Sequence, residues 1–256
     1  TFLKKSAIDA INDEPTFPAG YTKLPAKGDF SWGYGDKELF RRYFEVEKDN
    51  ETQPQLNVLL TVSTHSPFMV NDQKVYDQKF EDRMQQLNFS NNKKQAYQDY
   101  KGQYSSILFT DDALRTFFNE YKKRRDYNNT IFIITGDHRM PESPMSTKID
   151  RYHVPLIIYS PLLKRRASFA SVSTHFDITP SLLSFLHDNY NFQKPTLATW
   201  MGSGLDTNRA FENTHMYPLM QTKNDVVDFI MDNYHLNGDD VFSISGDMDE
   251  EPIQDN

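Results

Sequence analysis

Apolar residues along this chain follow two kinds of spacing. Continuous apolar runs at residues 58–62, 130–135 and 154–159 have the length and β-branched content of strands that are buried on both faces. Residues 36–48 and 94–121 instead place their apolar side chains on one face of a helix. The pattern therefore predicts three strands and two helices, with Asp36 as a candidate N-cap of the first helix.

The order strand, long helix, strand predicts a crossover unit between residues 58 and 135. Such a unit connects parallel neighbouring strands with right-handed sense. Ligands of parallel sheets bind beyond the carboxyl ends of the strands. We therefore expect His65, which follows the first strand, to face one cleft together with Asp137 and His138, which follow the second.

A third helix is predicted after the third strand. Asp177 or Thr179 is placed to cap it, and Pro180 then occupies its first turn.

The C-terminal region changes to short extended runs. Between residues 215 and 245 these runs are separated by turn residues, which predicts an antiparallel meander. The acidic segment that follows lacks apolar anchors, which predicts disorder. We divide the chain into three parts accordingly: an α/β domain at residues 1–205, an antiparallel β subdomain at 206–245 and a disordered acidic tail at 246–256.

The composition of the chain excludes several kinds of partner and catalytic group. The formal net charge of −8 argues against nucleic acid or an anionic membrane as the main partner, because both select basic surfaces. The chain has no cysteine, which excludes disulfides, thiolate metal sites and cysteine nucleophiles. Any catalysis must therefore use oxygen and nitrogen groups.

The sharpest chemical signal is the sequence Gly136, Asp137, His138 at the end of the second strand. A carboxylate and a neutral imidazole suit divalent ions such as zinc or manganese, and a glycine permits a tight turn beside them. The alternative is that the pair only caps a loop. The position beyond a parallel strand favours the metal hypothesis.

Three further residues are candidates with two interpretations each. His65 is either a substrate-binding or proton-donating group, or a loop histidine bonded to a carbonyl. Trp32 is either an aromatic platform for substrate or a core residue. His175 is either a further metal ligand or part of a polar cluster that caps the third helix.

Four separated motifs line up in the order of a known family: WGYGDKELF, LLTVSTHSPF, TIFIITGDH and HFDITPSLLSFL. They resemble the C-terminal part of the sulfatase-like catalytic domain of lipoteichoic acid synthases and related membrane phosphoglycerol transferases, within the alkaline phosphatase superfamily. The similarity covers about residues 32–186. It implies an α/β fold with a mostly parallel sheet flanked by helices and a small C-terminal antiparallel meander.

The resemblance also implies roles for the matching residues. Asp137 and His138 would be ligands of a catalytic divalent ion, manganese in the synthases and zinc in related phosphoethanolamine transferases, with calcium or magnesium as alternatives. His65 would contact the phosphate or glycerol head group of the substrate. In this family the nucleophilic threonine or serine and a further acidic ligand lie upstream of the tryptophan-glycine motif, so we expect them upstream of Thr1.

The favoured hypothesis is therefore a fragment of a metal-dependent phosphoryl- or sulfuryl-ester transferase or hydrolase. Its substrate would be an ester on a lipid head group or a glycan, and N-terminal helices would attach it to the cell membrane with this domain on the extracytoplasmic side. One alternative is a non-catalytic module that binds an anionic glycan or lipid head group. Another is an unrelated metallohydrolase whose whole site lies in this chain, with His175 and Asp177 among the ligands.

Overall fold

The computed structural model describes residues 5–6, 8–49, 53–246 and 248–253. The chain divides into two compact units: Thr1–Phe132 with Ser160–Leu162, and Ile133–Tyr159 with Leu163–Asn256. Within the described residues, no helix combines the length and the apolar character needed to cross a bilayer. The domain boundaries predicted after residues 205 and 245 stay predictions.

The first unit is helical. Its α-helices are α1 (Asp36–Val46), α2 (Gln73–Gln86), α3 (Asn91–Gln98) and α4 (Lys101–Tyr121), with short 3-10 turns at Glu14–Thr16 and Arg125–Asn129. Helix α1 confirms the prediction for residues 36–48, except that its N-cap is Gly35 and Asp36 is its first residue. The predicted helix at 94–121 is two helices, because Tyr100 leaves the helical conformation with ψ of 23°.

Helix α2 was missed by the sequence analysis. Its buried residues Tyr76, Phe80 and Met84 lie four positions apart on one face. That spacing is a helical signal, but the many polar residues between them hid it.

Aromatic rings hold α1 against α4. Phe40 of α1 lies 4.8 Å from Phe117 of α4, and Tyr43 stacks on Tyr121 with ring centroids 6.2 Å apart. Each such pair contributes about 0.5–1.5 kcal/mol beyond the area it buries. Phe132, at the end of this unit, packs edge-on against Tyr121 at 4.9 Å.

The strand predicted at residues 58–62 does not form, and the crossover unit built on it is not observed. Residues 56–60 are extended, but Leu56, Val58 and Leu60 are 80%, 86% and 67% exposed. A strand exists only when a neighbouring strand satisfies its backbone groups. No strand of the described residues pairs with this segment.

The described residues of the second unit form two sheets, one α-helix and a 3-10 turn at Ile149–Arg151. Strands β1 (Phe132–Thr135) and β2 (Leu156–Tyr159) pair in a two-stranded sheet and confirm the strands predicted at 130–135 and 154–159 in shortened form. Helix α5 (His175–Tyr190) confirms the third predicted helix.

The N-terminus of α5 is set by a capping box. Thr174 is the N-cap, and the side chains of Thr174 and Asp177 satisfy each other's backbone N–H groups. The prediction that Pro180 lies in the first turn is wrong, because the helix begins at His175. A proline inside a helix leaves the carbonyl four residues earlier, that of Phe176, without its usual donor. Gly202 lies against that carbonyl.

The C-terminal meander is confirmed, and it has two strands more than the three extended runs on which the prediction rested. Five strands pair in chain order, all antiparallel: β3 (Met216–Gln221), β4 (Val226–Met231), β5 (Tyr234–Asn237), β6 (Asp240–Ile244) and β7 (Glu250–Pro252). Strand β7 falls in the tail that was predicted to be disordered, while residues 247 and 254–256 of that tail lie outside the described residues.

A buried polar cluster explains why this acidic segment joins the sheet. His235 of β5 is fully buried between two carboxylates: Nδ1 contacts Glu250 of β7, and Nε2 lies 3.1 Å from Asp228 of β4. The other oxygen of Glu250 accepts backbone N–H groups from Lys148 and Ile149 at 2.6 and 3.2 Å. Glu250 therefore anchors β7 by polar contacts, although the segment has little apolar surface to bury.

Gly202 offers a test of the packing at α5. A Cβ atom on this residue would lie 1.8 Å from the carbonyl oxygen of Phe176. We expect Gly202→Ala to destabilise the fold by about 1–3 kcal/mol through overpacking. Gly102→Ala is the matched control, because its nearest contact would be an ordinary 3.6 Å. Urea unfolding of both variants checks this, and equal midpoints for Gly202→Ala and the wild type would contradict it.

Asp228 offers a pH test of the buried cluster. Burial alone would raise the pKa of this carboxyl, but hydrogen bonds from Tyr152 and Asn237 and the contact with His235 outweigh burial and lower the pKa. A carboxyl with a lowered folded-state pKa stabilises the protein above its unfolded pKa, about 3.9, and loses that contribution as the pH falls through the folded pKa.

We therefore expect Asp228→Asn to lower the unfolding free energy near neutral pH by about 1–3 kcal/mol, with a smaller difference from wild type below about pH 4. Urea unfolding as a function of pH measures this. Asp239→Asn, at an exposed turn, is the control. A difference that stays constant with pH would show that the charge of Asp228 is not the cause.

Candidate functional site

In the first unit, Trp32 and His65 form an exposed ring pair. Their ring centroids lie 4.1 Å apart, and the indole Nε1 donates a hydrogen bond of 2.7 Å to the carbonyl of Ser66. Trp32 is 37% exposed, and Phe30 packs edge-on against it at 5.1 Å. Trp32 is thus a surface residue, and the structure does not support its interpretation as core. The pair offers an apolar face beside an imidazole.

A buried carboxylate holds the loop that carries His65. Asp36 is fully buried, and its Oδ1 accepts the backbone N–H groups of Val62 and Ser63 at 3.1 and 3.0 Å and the Ser63 hydroxyl at 2.7 Å. Its Oδ2 accepts the hydroxyl of Thr110 from α4 at 2.7 Å. These four donors, together with the positive end of the α1 dipole, offset the cost of burying a charge.

The local sequence makes this arrangement possible. The Ser63 hydroxyl also accepts the backbone N–H of Asp36 at 3.0 Å, so the two residues bond reciprocally. A Cβ atom at Gly35 would lie 2.6 Å from the Leu24 side chain and 3.1 Å from the Ser63 hydroxyl. Gly35 is therefore required for the close approach. Sequence analysis assigned Asp36 to helix capping and missed its contact with the loop, since these partners lie 26 or more positions away.

In the second unit, Asp137 and His138 follow β1 directly. Their side chains are 69% and 53% exposed, with His138 Nε2 3.8 Å from Asp137 Oδ2. His138 Nδ1 lies 2.6 Å from the carbonyl of Arg139. A carbonyl oxygen only accepts, so Nδ1 carries the proton in this contact. In the neutral ring, Nε2 then carries the lone pair that can bind a metal. Gly136 has little room for a side chain, because a Cβ atom would lie 3.2 Å from both the His138 carbonyl and the Val154 side chain.

Arg139 stiffens the loop that follows. Its guanidinium donates to the carbonyls of Met140, Pro141 and Ser143 at 2.8–2.9 Å. The Arg139 carbonyl that orients His138 therefore belongs to a segment fixed by several hydrogen bonds. A backbone carbonyl on one ring nitrogen is a common way of orienting a metal-binding histidine.

His175 lies at the end of the same strand. It is the first residue of α5, and its Nε2 is 3.3 Å from the hydroxyl of Thr135, the last residue of β1. Capping of α5 is performed by Thr174 and Asp177, so the His175 ring does not cap the helix. Asp177 is fully buried and accepts from Thr174, Ser203 and Gly204, which removes it from the set of accessible ligands.

The side chains of Asp137 and His138 provide part of the ligand set that a divalent ion needs. A carboxylate oxygen and an imidazole nitrogen are suitable ligands, and both side chains are accessible. Over the ranges that the structure describes, however, no cluster of three or more histidine, aspartate or glutamate side chains forms a complete metal site.

Comparisons with known proteins agree on the fold. A family model described as Sulfatase matches residues 1–188. A protein in the alkaline phosphatase superfamily from Vibrio parahaemolyticus matches with a TM-score of 0.53 and 20% identity, over 95% of this chain and 53% of that one. The lipoteichoic acid synthase LtaP from Listeria monocytogenes matches with a TM-score of 0.57 and 14% identity, over 89% of this chain and 56% of that one.

At these identities the structural likeness concerns the fold, and it confirms the predicted α/β class with a C-terminal antiparallel sheet. The chain spans about half the length of the two solved structures, 53% and 56% respectively.

The role of Asp36 in placing His65 can be tested by fluorescence. The chain has two tryptophans, so Trp200→Phe leaves Trp32 as the only indole. The ring contact with His65 shields one face of the Trp32 indole, and it persists only while the loop of His65 stays in place. We expect His65→Ala to increase the quenching of Trp32 emission by acrylamide, because it uncovers that face, and Asp36→Asn to increase the quenching as well, because the loop loses its anchor.

Asp29→Asn removes an exposed carboxylate of the same unit and is the control. We also expect Asp36→Asn to lower the unfolding free energy by about 1–3 kcal/mol, since buried donors lose their partner. A folded Asp36→Asn protein with wild-type quenching of Trp32 by acrylamide would refute the positioning role.

Proposed function

The chain belongs to the sulfatase family, and on this premise we propose that it forms part of a metal-dependent enzyme that transfers or hydrolyses phosphate or sulfate esters. The observation that carries the proposal is the exposed Asp137–His138 pair at the end of β1, with His138 oriented through Nδ1. Both ester classes present a tetrahedral anion, so the same residues suit either.

Asp137 and His138 would hold the divalent ion, and His175, beside Thr135, is the next candidate. Manganese and zinc suit this pair, with calcium and magnesium as alternatives. When bound, such an ion neutralises charge on an ester oxygen and lowers the pKa of a hydroxyl nucleophile. The contribution of His138 depends on its tautomer, which the Arg139 carbonyl sets by accepting from Nδ1.

Trp32 and His65 would bind the substrate. The imidazole can donate a hydrogen bond to an anionic oxygen, and the exposed indole face suits the carbon skeleton of a glycerol or sugar group. Asp36 keeps the loop of His65 in place through Val62 and Ser63. These roles suit an ester on a lipid head group or a glycan.

The proposal assigns the nucleophile to a serine or threonine hydroxyl upstream of this chain, together with a further acidic ligand. It also places the whole protein at the cell membrane with this domain outside the cytoplasm. LtaP, which shares the fold, is a lipoteichoic acid synthase. A phosphoglycerol-type ester is therefore the first substrate to test, with sulfate esters as the alternative.

A second candidate function is binding without catalysis. The Trp32–His65 pair would serve recognition of an anionic glycan or lipid head group even if no metal were bound. Metal affinity separates the two candidates, because a binding module has no need of Asp137 and His138 as ligands.

Titration of the full chain with Mn²⁺ tests the metal site. We expect weak binding that Asp137→Ala and His138→Ala each reduce by about tenfold or more, since each removes one of few ligands. The chain offers a matched control in His187→Ala and Asp188→Ala, which alter an exposed His–Asp pair on α5. Electron paramagnetic resonance of free Mn²⁺ gives the affinity.

Equal losses in the control pair would show that the chain binds Mn²⁺ non-specifically through surface acids. Activity gives a separate result, because we expect this chain alone not to turn over a phosphodiester. Metal-dependent hydrolysis that Asp137→Ala abolishes would contradict the upstream position of the nucleophile.

A further inference from the structure

A segment of the second unit between β2 and α5 combines cationic and apolar side chains at the surface. Residues 163–169, named here the 163–169 loop, are all exposed and have no helical or strand structure. Leu163 and Phe169 at its ends are 55% and 49% exposed. Lys164, Arg165 and Arg166 lie between them.

The chain contains a second basic run, which differs in its electrostatic surroundings. At residues 122–125 the cations have nearby carboxylates: Lys123 lies 2.6 Å from Glu120, and Arg124 lies 2.8 Å from Asp126. In the part of the chain that the structure describes, none of the three cations of the 163–169 loop forms an ion pair within 4 Å. Their charge is therefore directed to solvent or to a partner.

This local charge is opposite in sign to the protein as a whole, whose formal net charge is −8. Surface charges act over about 8 Å at physiological salt, so a cluster of three cations attracts an anionic surface even when the average charge repels it. The protein would then approach such a surface with the 163–169 loop first. The net negative charge of the protein therefore favours orientations that point the 163–169 loop at the anionic surface, and it does not prevent the contact.

The apolar ends of the loop define the kind of surface. Leu163 and Phe169 gain free energy only where a partner has an apolar layer next to its anionic groups. A bilayer interface has that combination, with anionic head groups above acyl chains. A nucleic acid supplies the charge, but it has no apolar layer to take up Leu163.

From this combination we infer that the 163–169 loop is a docking surface for anionic lipid membranes, with Lys164, Arg165 and Arg166 on the head groups and Leu163 and Phe169 at the acyl boundary. The inference goes beyond the proposed chemistry and does not depend on it, because vesicle binding requires neither a metal nor turnover. The loop would bring the domain and the lipid surface together by a contact of its own.

Co-sedimentation of the full chain with vesicles tests the inference. One set contains phosphatidylcholine alone, and the other contains phosphatidylcholine with phosphatidylglycerol. We expect binding to the second set only, weakened by salt. Each basic residue near an anionic surface strengthens binding by about fivefold, so Lys164→Gln, Arg165→Gln and Arg166→Gln together should weaken it on the order of 100-fold.

The second basic run provides a control with the same change of charge. Lys122→Gln, Lys123→Gln and Arg125→Gln together also remove three positive charges, but this run has no exposed large apolar residue beside it. This control should retain binding. Leu163→Ser with Phe169→Ser should weaken it while leaving all charges in place, and circular dichroism checks that each variant is folded.

The inference would be overturned by equal binding to both vesicle sets, by wild-type binding of the Leu163→Ser, Phe169→Ser variant, or by equal losses in the two charge variants. Full competition by soluble glycerol phosphate would also overturn it, since that would identify a pocket for the head group and not a membrane surface. No binding to either vesicle set would overturn it directly.

Discussion

Two fully buried carboxylates in the first turns of helices hold the loops of the two units. Asp36 opens α1 and binds the loop at Val62 and Ser63, and Asp177 in α5 binds its own N-cap and the turn at residues 203–204. A buried carboxylate is stable only when donors surround it. In this protein, backbone N–H groups that are distant in sequence donate to each aspartate. One buried carboxylate therefore fixes the position of a remote loop.

The pKa of Asp177 reflects this balance. Burial alone would raise it, but donors from Thr174, Tyr217 and Gly204 lower it overall. Asp228 follows the same principle within the sheet, where Tyr152, Asn237 and His235 surround it. In each case the carboxylate cannot be removed without leaving several buried donors unpaired, which costs about 1–3 kcal/mol for each unsatisfied group.

Most elements with a local signal could be predicted from the sequence, α2 being an exception, and elements that depend on distant partners could not. The predicted α1, β1, β2, α5 and meander form because helical spacing, apolar runs and turn residues are local properties. The segment at residues 58–62 has the apolar run of a strand, but it finds no neighbouring strand among the described residues. Strand β7 has no local signal, since its place depends on the contact of Glu250 with His235.

The same distinction applies to the candidate site. Asp36, Asp177 and Asp137 each stand beside a glycine or within a polar cluster, and the sequence does not separate anchoring carboxylates from chemically available ones. In the structure, Asp36 and Asp177 are fully buried and accept several hydrogen bonds each, while the Asp137 side chain is 69% exposed. A carboxylate already occupied by several donors has no lone pair directed to a metal. Asp137, whose Oδ2 lies 3.8 Å from His138 Nε2, keeps that capacity, and this is the physical reason for proposing the end of β1 as the metal site.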